Sequence, residues 1–223
     1  MRLQDKLNAF TANAIEKGLL SQTALATFVK GTKELIETGQ AERAVKAGDE
    51  APGFSLPDAD GVMFSSHSLL ATGPLVVTFY RGVWCPYCNM DLQALEVARP
   101  EIESRGASLV ALSMQNASNS RKSRRDNHLG FPILADFKGL VADRFGLRFK
   151  LSDELVELFK QFGNDLPQIN GESSWTLPMP ARYVIDQGGV VAYAEVNPDY
   201  TKRPDPSELF PVLDGLKAAR VMA

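Results

Sequence analysis

Apolar residues recur at intervals of three and four along the first part of the chain. Leu3, Leu7, Phe10, Ala14 and Ile15 form one such stripe, which predicts an amphipathic helix that Gly18 interrupts. Ser21 suits the cap of a second helix, in which Leu25, Phe28, Val29, Leu35 and Ile36 share a face and Gly39 marks the stop. Residues 1–46 therefore read as a helical extension whose apolar stripes pack on the rest of the chain or on a second copy of it. The period then changes. GDEAPGFSLPDADG (48–61) is rich in turn formers and leaves room only for short extended pieces. PLVVTFY (74–80) is a continuous apolar run with β-branched and aromatic residues, the pattern of a strand covered on both faces. Leu92, Leu95, Ala98 and Ile102 return to helical spacing, with Pro100 expected to kink or split that helix. ASLVALSM (107–114) and FPILAD (131–136) read as strands, and 117–128 as a polar surface helix. LSDELVELFKQFG (151–163) is helical, with Ser152 as its cap and Glu154 in the first turn. ARYVID, QGG and VVAYAEV (181–196) predict a hairpin, and a last helix runs from Ser207 to about Ala219. Strands alternating with helices, then a hairpin and a helix, define an α/β fold with a mixed central sheet flanked by helices.

Composition narrows what such a fold is for. The 223 residues fit one domain with an extension, and 44% hydrophobic with 23% charged residues suffices for a core without staples. A net charge of −3 gives no nucleic-acid surface, and the basic run RKSRR (121–125) reads as a solvated helix face. The opening MRLQDKLNAF carries charges every few residues and does not read as a secretory signal. No run approaches the roughly 18 apolar residues of a membrane span, so no membrane association is expected. Two cysteines make no disulfide framework, and a reducing, cytoplasmic setting is expected. His67, His128 and Trp175 read as structural or solvated, and NPDYTKRP (197–204), with Tyr200, Lys202 and Arg203, as a surface loop, with contact to the site or to a partner as the lesser alternative. No Gly-rich phosphate loop is present, so neither a nucleotide nor a flavin cofactor is expected.

Both thiols, Cys85 and Cys88, lie in RGVWCPYC, at the carboxyl end of a buried strand, where ligand chemistry in open α/β sheets usually sits. Structural zinc needs four ligands and would have to recruit His67 and His128, which are far apart in sequence, so no metal is expected. Haem attachment needs a histidine after the second cysteine, and Asn89 stands there. Two buried cysteines acting as small hydrophobes remain possible, but the local chemistry favours a redox dithiol. Pro86 suits the first helical position and makes Cys85 the N-cap, beside free amides and the positive end of the helix dipole. With Arg81 nearby, Cys85 is expected to hold its thiolate below the reference pKa of about 8.5. Cys88, one turn later, is near enough to close a disulfide. Cys85 thus reads as the exposed attacking thiol and Cys88 as the buried partner that resolves what Cys85 forms.

FYRGVWCPYC after a buried strand resembles the active-site segment of the thioredoxin superfamily. Together with GDEAPGFSLPDADG, GFPILAD and ARYVIDQGG, it resembles the peroxiredoxin-like branch of the alkyl hydroperoxide reductase/thiol-specific antioxidant family, over residues 48 to about 196. The resemblance implies a thioredoxin-like fold over 47–223 with a helical N-terminal addition. It also implies a peroxidatic Cys85 oxidised to sulfenic acid by a hydroperoxide, then resolved by another thiol. Electrons would come from a thioredoxin, a glutaredoxin or a small thiol, and a homodimer is expected because oligomers are usual among such relatives. Trp84 would line the site, as in thioredoxin-like proteins. Two departures stand out. Where typical relatives carry a Pro and then a Thr or Ser three residues before the reactive cysteine, this chain has Thr78 and Gly82. Where they carry an Arg before the late strand, it has Pro180, the place of the cis-proline that faces the CxxC of thioredoxin-like reductases. A cis Met179–Pro180 bond against Cys85 is therefore expected, with Arg182 on the same side by strand alternation. Hydroperoxide reduction is the leading reading. Thiol–disulfide exchange is the alternative, and a non-catalytic redox sensor the third.

Overall fold

The run after Pro74 becomes the central strand because every one of its side chains has a layer to enter. In the computed structural model, which describes the backbone through residue 222 and side chains through residue 219, all five residues of this strand are buried. The N-terminal part holds α1 (Leu3–Glu16), α2 (Gln22–Glu37) and the short α3 (Gln40–Arg43). There follow β1 (Ser55–Pro57), β2 (Met63–Ser65), α4 (Ser66–Leu70), β3 (Leu75–Phe79), α5 (Pro86–Ser104), β4 (Ser108–Ser113), α6 (Ala117–Asp126) and β5 (Ile133–Ala135). The remainder comprises α7 (Leu140–Arg144), β6 (Arg148–Lys150), α8 (Asp153–Gln161), α9 (Leu166–Asn170), β7 (Thr176–Pro178), β8 (Ala181–Ile185), β9 (Val191–Val196) and α10 (Leu209–Met222).

The main sheet has the order β5-β4-β3-β8-β9. β3, β4 and β5 are parallel, whereas β8 runs antiparallel to β3 and to β9, with Thr78 opposite Arg182. Strand alternation sends Val76, Leu109, Ala111 and Val184 to one face, with Leu92, Leu95 and Ile102 of α5 and Leu209 and Leu213 of α10. Val77, Phe79, Val110, Leu112 and Tyr183 enter the other face, with Val141 and Ala142 of α7. This is a mixed sheet between helical layers, a thioredoxin-like α/β fold. Two pairings escape hydropathy reading, the ribbons β1–β2 and β6–β7, each of three residues a strand. Among the described residues no helix is long and apolar enough to cross a membrane.

The N-terminal helices pack on this body. Leu3 and Leu7 of α1 enter the layer around α5. Ser21 caps α2 by accepting from the Ala24 N–H at 3.1 Å, and Ser152 caps α8 by accepting from Leu155. The buried face of α2 is Ala24 and Leu35, with Phe28 half-buried, and not the whole predicted stripe: Val29 is 59% and Ile36 49% exposed. The reason is the crossing with α8, where Gly31 seats the Leu155 side chain so closely that a Cβ would lie 2.5 Å from its Cδ1. A second correction concerns Pro100, which does not split α5 into two elements; the helix runs through it for 19 residues.

Candidate active site

The turn between β3 and α5 is fixed by side chains that cross it. Gly82 has φ +149°, and a Cβ there would fall 2.5 Å from Trp84 Nε1, so glycine lets the indole fold back over the turn. Gln115, just beyond β4, clamps it from behind. Its Oε1 accepts from the Val83 N–H at 3.0 Å while its Nε2 donates to the Tyr80 hydroxyl at 2.6 Å. Asn89 donates to the Val83 carbonyl at 2.8 Å. Cys85 is then the N-cap of α5, with Pro86 at the first helical position and the Cys85 carbonyl accepting from the Asn89 N–H.

Both cysteines are free thiols, and both are buried: Cys85 is 1% and Cys88 0% exposed. The expected exposed Cys85 is therefore a cavity-facing thiol with almost no contact with bulk water. Behind Cys88 stands a chain of charges. Arg203 Nη2 donates to Cys88 Sγ at 3.6 Å, and Arg203 Nε lies 3.5 Å from Asp91 Oδ2. Asp91 Oδ1 pairs with Arg182 Nη2, and Arg182 Nη1 donates to the Pro204 carbonyl at 3.1 Å. Two guanidiniums share the Asp91 carboxylate here, all buried, and the Glu195 carboxylate, opposite Arg182 on β9, faces the same two cations. Buried charge is costly unless paired, so this group favours a further anion in contact with Arg203.

Cys88 supplies it. Burial pushes the Cys88 thiol up, but the hydrogen bond from Cys85, the Arg203 and Arg81 guanidiniums and the Arg81 backbone amide outweigh it and bring its pKa down to about 6. Burial, the hydrogen bond with Cys88 and the negative charge of Cys88 push Cys85 well up, more than Arg81 and Arg203 pull it down. This corrects the expectation of a low-pKa Cys85. The two shifts run in opposite directions and favour the proton on Cys85 and the negative charge on Cys88. The helix cap position alone does not decide which sulfur is ionised, because Cys85 makes no side-chain cap hydrogen bond and the nearest guanidinium donor reaches Cys88.

Cys85 lies in the wall of a cavity of about 230 Å³. Trp84, Pro86 and Tyr87 line it from the turn, Phe159 and Phe162 from the α8 side, Tyr200 from the loop after β9, and Phe10, Leu20 and Phe28 from the N-terminal helices and their connection. Arg81 is the one charged side chain in that lining among the described residues, and its guanidinium is stacked 3.9 Å from the Tyr200 ring centroid and 4.9 Å from that of Trp84. Of the candidate site residues, Arg81, Trp84, Cys85 and Pro86 are thus brought together around one cavity, with Cys88 directly behind. Pro180 and Arg182 are not part of it. Met179–Pro180 is not cis, since the described residues contain no cis peptide bond. The Met179 N–H donates to the Leu147 carbonyl and the Pro180 carbonyl accepts from Asn197, so the segment runs on from β7 into β8 as extended chain. Arg182 serves the site from behind, through Asp91.

Asp91 is the site residue that sequence reasoning missed, whereas Tyr200 and Arg203 belong to the loop for which contact with the site is the lesser of the two readings. Asp91 did leave a signal, an acid three residues after Cys88 on the helix face that carries Leu92 and Leu95 inward. A larger open hollow of about 540 Å³ between Asp58–Asp60 and Arg121–Arg125 contains neither sulfur and is laced with exposed ion pairs, so the chemistry is not there. Among the described residues, no three His, Cys, Asp or Glu side chains are grouped to hold a metal.

A thioredoxin-like sheet with two sulfurs at the start of a helix defines the class, a thiol-based oxidoreductase. The chain belongs to the AhpC/TSA family, whose model matches residues 47–194. It is 30% identical over 112 residues to the putative peroxiredoxin MT1643 of Mycobacterium tuberculosis, a span covering 50% of this chain and 73% of that protein. It is 28% identical over 184 residues to the chloroplastic peroxiredoxin Q of Oryza sativa subsp. japonica, covering 81% and 73%. Among solved structures it resembles the peroxidoxin BcpB of M. tuberculosis, with a TM-score of 0.60 and 23% identity over 78% of this chain and 97% of that one, a likeness of fold.

Proposed function

We propose that this peroxiredoxin-like enzyme reduces hydroperoxides with Cys85 as the sulfur that meets the peroxide and Cys88 as its base and resolving partner. Thiol-dependent peroxide reduction is the activity of its family relatives. The observation that carries the residue roles is the juxtaposition of a cavity-facing Cys85 sulfur with a buried Cys88 sulfur that the Arg203 guanidinium contacts. Cys88 takes the proton of Cys85 as Cys85 attacks the distal peroxide oxygen. The O–O bond breaks, an S–O bond forms, and the departing alkoxide or hydroxide collects the proton from Cys88. Cys85 is then a sulfenic acid and Cys88 a thiolate again. Cys88 attacks Cys85, forming the disulfide and releasing hydroxide, which a solvent proton turns to water. Two electrons have passed from the dithiol to the peroxide, and an external dithiol of the thioredoxin or glutaredoxin kind, or a small thiol, restores them by exchange. Such a cycle suits a reducing, cytoplasmic compartment.

Trapping tests the roles. Cys88→Ser is expected to leave Cys85 as a sulfenic acid that a dimedone-type probe labels after peroxide, whereas Cys85→Ser gives no label. Label on Cys88 in the Cys85→Ser protein, with none in Cys88→Ser, would reverse the roles. Absence of label in both, with a mixed disulfide formed rapidly on Cys85 from a model disulfide, would replace peroxide reduction by thiol–disulfide exchange.

A further inference from the structure

The cavity at Cys85 is walled in part by residues that lie outside the matched region of 47–194. Phe10 comes from α1, Leu20 from the connection, and Phe28 from α2. Their placement is built. Thr11 Oγ1 and the Tyr87 hydroxyl are 2.8 Å apart, tying α1 to the first turn of α5, and the Phe10 ring meets Tyr87 edge-on at 5.5 Å. The Phe28 ring meets Phe159 at 6.2 Å and Tyr200 at 6.1 Å, a seat reached because Gly31 allows α2 to close on α8. Phe10 is 36% exposed, so the cavity is open to solvent on the α1 side.

Walls of this kind treat peroxides unequally. Hydrogen peroxide is small and fully hydrated, and burying it against phenyl rings gains little. An apolar hydroperoxide gains roughly 25 cal/mol for each Å² of its surface removed from water. The volume also sets a limit: about 230 Å³ lies below the ~300 Å³ at which pockets for drug-sized ligands begin. We propose that α1 and α2 are the specificity element of this site, and that they select small apolar organic hydroperoxides, aryl or branched alkyl, over hydrogen peroxide. This rests on Cys85 being the sulfur that meets the peroxide. The atoms that react are the same: the distal oxygen passes to Cys85 and the apolar alcohol leaves the cavity.

The test is a ratio measured on the full chain, kcat/KM for cumene hydroperoxide over kcat/KM for hydrogen peroxide. The wild-type ratio is expected to exceed one, and Phe28→Ala and Phe10→Ala are each expected to lower it about tenfold, the scale on which one apolar contact discriminates between substrates. The loss should fall mainly on KM for cumene hydroperoxide. Phe28→Leu, which keeps an apolar side chain at the α2–α8 seat, guards against a variant that does not fold. A ratio that stays at its wild-type value in both alanine variants, whether the two rates hold or fall together, would overturn the proposal and leave the N-terminal helices a purely structural role. A wild type that consumes neither peroxide would instead defeat the reading of the site itself.

Discussion

Replacing Arg203 with methionine removes the cation closest to the Cys88 sulfur, 3.6 Å away. A guanidinium and a thiolate at that distance attract by roughly 4–5 kcal/mol at an effective dielectric of about 20, which is about three pKa units. Asp91, 3.5 Å from Arg203 on its other side, takes up part of that field. A rise of about two units is what remains. Cys88 starts at about 6, so in Arg203→Met its midpoint is expected at roughly 8. The sign follows directly: a higher pKa means a protonated Cys88 at pH 7, with the thiolate share falling from about nine-tenths to about one-tenth. Peroxide oxidation of the reduced wild type should rise with pH through a midpoint near 6 and then level off. In the variant the whole curve moves up, leaving a rate about tenfold lower at pH 7 that recovers by about pH 9. Ultraviolet titration of the thiolate, with stopped-flow oxidation over the same pH range, reads both quantities. Arg203→Lys, which keeps a cation without the fixed fork, should fall between the two proteins. A midpoint in Arg203→Met within half a unit of the wild type, in protein of unchanged circular dichroism, would refute the assignment of the charge to Cys88 through Arg203.

Two tightly approached glycines give sharper tests of the packing. Gly31→Ala pushes a methyl group to 2.5 Å from Leu155 Cδ1 at the α2–α8 crossing. A loss of about 1 kcal/mol, near 3 °C in melting temperature, is expected, and an unchanged melt would mean that the helices part without cost. Gly73→Ala is more severe, because its Cβ would fall 1.9 Å from the Gly106 carbonyl oxygen, a backbone atom that no rotamer change can move. It should lower the melting temperature by about 6–10 °C, and a melt within 2 °C of wild type would show that the 73–106 contact is not as close as described.

The sheet was legible because its signal is local. In β3, β4 and β8 nearly every position is apolar, and only strands covered on both faces read so. The ribbons β1–β2 and β6–β7 were not legible, since three residues are too few to show a period. In the site, Trp84, Cys85, Pro86 and Cys88 followed from one helix start, where residue identity and position carry the chemistry. Arg203 did not. Its sequence neighbours, Lys202 and Pro204, are those of a solvent loop, and only the return of that loop over α5 turns it inward against Cys88. The same loop misled the reading of Pro180: a proline before a late strand was assigned to the cover of the cysteines, whereas Tyr200 and the N-terminal helices provide that cover. The low-pKa sulfur was misassigned for a related reason. A helix dipole can be inferred from spacing, but a guanidinium delivered from 115 residues away cannot.

Of the anions that face Arg182 and Arg203, which are Asp91, Glu195 and the Cys88 thiolate, only Cys88 loses its charge when a disulfide forms. Once the two sulfurs join, that negative charge vanishes and the buried guanidiniums face one anion fewer. The oxidised enzyme therefore carries an internal electrostatic load that its reduced form does not. Such a load acts as a spring on the reduction potential, lifting it by an amount on the order of tens of millivolts. Recharging by a passing dithiol is correspondingly downhill, and the same cations that ready the sulfur for peroxide also hasten its return.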